Sequence, residues 1–64
     1  MQRTELERHL RDHGCGLHHH GAKHDVWINP ENMRKVSVPR HRVIKKGTVR
    51  GICRRLDIPS PPGL

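Results

Sequence analysis

The sequence predicts an α+β domain of two layers, with the order helix, three antiparallel strands, helix, and with both helices on one face of the sheet. Three observations carry this reading. Apolar residues recur at helical spacing before Gly14 and again after Gly47, they recur at a spacing of two in between, and 64 residues leave room for one core only. A chain of this size buries only about 60% of the surface its unfolded form exposes, so chemistry belongs on the surface or at an edge. Residues 1–59 are expected to form the single domain, and residues 60–64 a flexible, proline-rich tail.

Helix one is expected from about Glu5 to His13. Thr4 followed by Glu7 reads as a capping box, Leu6 and Leu10 supply the apolar stripe, and Gly14 supplies the stop. From Cys15 the period becomes two. A hairpin turn at Gly21 and Ala22 pairs His19 with His24, Leu17 with Val26 and Cys15 with Ile28, which gathers every apolar residue but Trp27 on one face. This register sends His18, His20, Asp25 and Trp27 to the outer face, and His19 and His24 to the rim of the helix-covered face. Asn29, Pro30, Glu31 and Asn32 have turn chemistry. A third strand follows from Arg34 to Val38, with Val36 and Val38 inward and Pro39 closing it.

Arg40, His41, Arg42, Lys45 and Lys46 make a basic connector to helix two, expected from about Thr48 to Leu56. Val49, Ile52, Cys53 and Leu56 stand at i, i+3, i+4 and i+7 there, with Arg50, Arg54 and Arg55 on the opposite face.

Thirteen Lys and Arg against six Asp and Glu give a net charge of +7. That balance favours a polyanionic partner, nucleic acid being the commonest, over a basic surface with no dedicated partner. No apolar run is long enough to span a membrane, and Met1 to Arg11 has no apolar signal core, so neither a membrane segment nor a signal peptide is expected. Cys15 and Cys53 match no metal or redox spacing and read as buried thiols of a protein in the reducing cytoplasm, a disulfide between them being the alternative.

Four of the seven histidines crowd the hairpin turn. Cys15, His18, His20 and His24 match no zinc spacing, so no metal or other cofactor is expected. The remaining readings are a solvated polar edge and a proton-transfer site, since an imidazole of pKa ~6.5 gives or takes a proton at neutral pH. Trp27, the only aromatic residue apart from the histidines, either covers Gly16 across the strands or stacks on a base.

Gly14 and Cys15, then Gly21, Ala22, Lys23 and His24, then Trp27, Asn29 and Pro30, then Val38, Pro39, Arg40 and His41, and finally Lys46 to Arg50 together resemble the HicA family of mRNA-interferase toxins. The resemblance runs from about Leu6 to Pro59. It implies a fold like the double-stranded RNA-binding domain, cleavage of mRNA, and neutralisation by a HicB-type antitoxin protein.

It also implies His24 as the catalytic histidine. Lys23 is then placed to stabilise transition-state charge, Arg40, Arg42, Lys45 and Lys46 to hold phosphates, and His19 and Trp27 to act as auxiliary residues. Cleavage is expected to need no metal. His41 also matches a family position. The chain departs from the family at His19, His20 and Asp25, and at Asp57, where a helix-ending glycine is usual. Asp25 is expected to pair with His18 across the strands. The alternative class is a non-catalytic RNA-binding module, or a toxin that only binds its antitoxin.

Overall fold

The computed structural model describes all 64 residues and has the expected order: α1 (Arg3–Asp12), β1 (Gly16–His20), β2 (His24–Asn29), β3 (Arg34–Pro39) and α2 (Lys46–Leu56). The strands form one antiparallel sheet in the order β1-β2-β3. Leu6 and Leu10 of α1 and Val49, Ile52, Cys53 and Leu56 of α2 are buried in one core with Trp27, Val36 and Val38 of the sheet. No helix is long and apolar enough to cross a membrane.

The expected hairpin register is overturned. Gly16 pairs with Ile28 and Leu17 with Trp27; a β-bulge at His18 then shifts the ladder, so that His19 pairs with Val26 and His20 with Asp25. Ala22 and Lys23, rather than Gly21 and Ala22, connect the strands, and the Gly21 amide donates to the His24 carbonyl at 2.7 Å. Against β3, Trp27 faces Val36 and Asp25 faces Val38. The inward residues of β2 are therefore Asp25, Trp27 and Asn29, while His24, Val26 and Ile28 belong to the open face. A change of one residue in register exchanges the two faces of a strand.

Two physical reasons decide the outcome. Trp27, only 3% exposed, has the largest apolar surface in the chain to bury, and it takes the inward place that the alternation of Val26 and Ile28 had claimed. The polar residues that accompany it are provided for. Asn29 donates from Nδ2 to the Leu56 carbonyl at 2.8 Å and accepts from the Glu31 amide at 3.1 Å. Buried polar groups with partners are tolerated, and their polarity is therefore a poor guide to the face they occupy.

The capping box is also overturned. Thr4 lies inside α1, whose cap is Gln2 with no side-chain cap bond. The first helical amide, that of Arg3, donates to the Arg42 carbonyl at 2.9 Å, Gln2 bridges Val43, and the Ile44 amide donates to Met1. This pairing orders the basic connector and buries Ile44 at 2% exposure, a core residue hidden between charged neighbours in the sequence. Toward the other end of the chain, Pro61 is buried and Ile58 and Leu64 pack against the core.

Both helices end in the same way. After α1, Gly14 takes a left-handed φ of 82°, with bonds from Gly14 to Arg11 and from Cys15 to Leu10. After α2, Asp57 does so at φ 58°, with bonds from Asp57 to Arg54 and from Ile58 to Cys53. These are Schellman closures, and in the second an L-residue carries the strained position. Replacing Asp57 with Gly is expected to raise the unfolding free energy by about 1 kcal/mol, because a left-handed backbone costs an L-residue roughly 1–2 kcal/mol. Urea denaturation measures this as a higher midpoint at unchanged slope; a lower midpoint would show that the Asp57 side chain stabilises the helix end.

Candidate functional site

The site is built at the head of β2. Strand alternation sends neighbouring side chains to opposite faces, so His24 projects from the open face while Asp25 projects beneath the sheet. His24 is exposed and borders an open groove with Gly21, Ala22, Lys23, Val26 and Ser37. The structure thus brings together His24 and Lys23, as the sequence suggested. Ser37 was not anticipated there; its signal was the alternation of β3, which places it on the face opposite Val36 and Val38.

Pro39, the cross-strand partner of His24, borders a second hollow with His41, Val43, Ile44, Lys45 and Thr48. Arg42, Lys45 and Lys46 are exposed along this connector and the start of α2. The basic connector therefore starts one residue beyond the strand position that faces His24. His19 shares the open face, opposite Val26, and its ring meets that of His18 edge-on at 5.1 Å. It does not line the His24 groove.

Other expectations are corrected. Trp27 is a core residue rather than an exposed stacking platform, and the Arg11 guanidinium lies over its ring at 5.7 Å. Its buried Nε1 has no partner. His20, expected on the outer face, shares the helix-covered side with Asp25, and His19 and His24 occupy the opposite one. Asp25 pairs with His20, not His18: His20 Nδ1 donates to Asp25 Oδ1 at 2.8 Å, and Arg40 Nε donates to the same oxygen at 2.9 Å. Arg40 Nη2 also donates to the Gly21 carbonyl at 2.6 Å. Of the four residues expected to hold phosphates, Arg40 is thus already engaged.

No three His, Cys, Asp or Glu side chains come together as a set that could hold a metal ion. Burial pushes the Cys15 and Cys53 thiols up, which disfavours the nucleophilic thiolate at either position.

The hydrogen bond from His20 holds the Asp25 carboxyl below the usual carboxylate range, helped by the bond and charge of Arg40 and opposed by burial. A depressed folded-state value means that ionised Asp25 stabilises the fold at neutral pH. That contribution is lost as pH falls below the ordinary carboxylate value, about 4, and through the depressed one. Urea titrations across the acid range should therefore show a loss of stability that Asp25→Asn makes shallower; an equally steep loss in the variant would assign it to other carboxylates.

Gly21 is required for a different reason. A Cβ there would lie 2.7 Å from the His24 carbonyl oxygen, a backbone atom with no rotamer to yield. Gly21→Ala is expected to open the hairpin and cost about 1–3 kcal/mol, the usual range for overpacking. Thermal unfolding measures the cost, and a change of less than about 0.5 kcal/mol, the range of ordinary surface substitutions, would show that the turn relaxes freely.

Against known proteins, a family model described as the HicA toxin of bacterial toxin-antitoxin systems matches residues 3–58. No curated protein and no solved structure matches the chain.

Proposed function

We propose that this chain, which belongs to the HicA family of toxins from bacterial toxin-antitoxin systems, is a metal-independent endoribonuclease that cleaves mRNA with His24. The observation that carries the reading is the exposed imidazole of His24 at the head of β2, in an open groove beside Lys23 on a chain of net charge +7. A shallow groove suits an extended polyanion better than an enclosed small molecule.

RNA carries its own nucleophile. The 2′-hydroxyl gives up its proton, its oxygen bonds to the adjacent phosphorus, and the bond from phosphorus to the 5′-oxygen breaks as that oxygen takes a proton. The products are a 2′,3′-cyclic phosphate and a 5′-hydroxyl, and no activated water enters. His24 serves as base toward the 2′-hydroxyl or as acid toward the leaving oxygen. Lys23 supplies positive charge as the phosphorane-like transition state gains negative charge. Arg42, Lys45 and Lys46 hold the flanking backbone through sequence-independent contacts. The protein acts in the cytoplasm, and its partner is an antitoxin of the HicB type.

His24→Ala is expected to lower cleavage of an RNA oligonucleotide by about 10²–10⁴-fold, the usual range for a lost proton-transfer group, while leaving the fold intact. Cleavage by the native chain should persist in excess chelator and stop when the scissile nucleotide is 2′-deoxy. Full activity in His24→Ala would overturn the assignment. Growth arrest without any RNA cleavage would instead support a toxin that acts by binding.

A further inference from the structure

Arg40 has the composition of a phosphate ligand and the contacts of a clamp. It stands one residue beyond Pro39, the cross-strand partner of His24, and turns back beneath the sheet. Nε donates to Asp25 Oδ1 at 2.9 Å and Nη2 to the Gly21 carbonyl at 2.6 Å. Those two oxygens lie on opposite arms of the β1–β2 hairpin, on either side of Ala22 and Lys23. One planar guanidinium edge therefore holds both ends of the turn. The clamp is itself held, because the Arg40 carbonyl accepts Arg3 Nη1 of α1 at 2.7 Å and Asp25 also accepts from His20.

The turn needs such a clamp. Ala22, Lys23 and His24 are all exposed, and a segment without buried apolar contacts opens easily on its own. Asp25 is the first buried residue of β2, immediately after His24. Fixing its side chain below the sheet fixes the direction in which His24 leaves above it.

We propose that Arg40 and Asp25 are positioning residues for His24, locking the hairpin turn so that the imidazole is held at a fixed angle over the open face, and that Arg40 does not bind the RNA backbone. This rests on the reading of His24 as the proton-transfer group. A fork of two coplanar donors is a property of arginine that lysine lacks, so charge alone does not substitute for it.

Steady-state cleavage by Arg40→Lys, Arg40→Ala and Asp25→Asn separates a clamp from a phosphate ligand. The clamp predicts that kcat falls in all three, by up to about 10²-fold as for an angstrom-scale misplacement, with KM unchanged. It also predicts that Asp25→Asn with Arg40→Ala is no worse than either change alone. A phosphate ligand predicts that Arg40→Lys stays active, that Arg40→Ala raises KM, and that its salt dependence weakens by roughly 0.7 of a counterion on single-stranded RNA; that pattern overturns the proposal.

Amide exchange gives a second readout that needs no activity. The Gly21 amide, bonded to the His24 carbonyl, should lose protection in Arg40→Lys while amides of α2 keep theirs. Unchanged Gly21 protection would overturn the clamp. Full activity in His24→Ala would overturn the catalytic reading alone, because the exchange experiment would still report on the turn.

Discussion

Burial of Trp27 is the constraint on which the rest of the molecule depends. A sheet covered on one side has a single dry face, and the central strand must choose which parity to commit to it. The indole chooses. Once it lies against Val36 and under Arg11, Asp25 and Asn29 are carried inward with it, and His24, Val26 and Ile28 are turned outward. The exposed histidine at the head of the strand and the buried carboxylate beneath it follow from one packing decision.

Carrying two polar side chains into the covered layer has structural consequences of its own. Asn29 reaches the Leu56 carbonyl, Asn32 adds a second bond to it at 3.1 Å, and the β2–β3 turn thereby closes the end of α2. Asp25 gathers His20 from β1 and Arg40 from beyond β3, so one carboxylate oxygen joins the ends of all three strands. The interior polar groups tie elements together at the two ends of β2, where a small apolar core reaches least far.

Much of this was legible in the residues. The order of elements, the inward Val36 and Val38, the stripe on α2 and the stop at Gly14 all express local periodicity or backbone preference, and the chain carries them in plain form. His24 and Lys23 stood out as neighbours because they are adjacent in the chain. What the sequence concealed depends on pairing at a distance. Nothing local announces that His18 is the extra residue of a bulge, that residues 1–3 form a ladder with residues 42–44, or that Asp25 has an arginine fifteen residues away to meet it. The engagement of Arg40 with Asp25 and Gly21 was hidden for that reason, since a charge reads as free until its partner is located.

The bulge in β1 bears on the company the protein keeps with itself. β1 is an edge of the sheet, and an uninterrupted edge offers a row of amides and carbonyls to any passing strand. Here the ladder is broken at His18, and His18, His19 and His20 are all exposed along it. A break in spacing denies a second chain continuous register, and a bulged edge twists away from a flat partner. The irregularity that shifts His20 under the sheet therefore also guards the molecule against edge-to-edge aggregation.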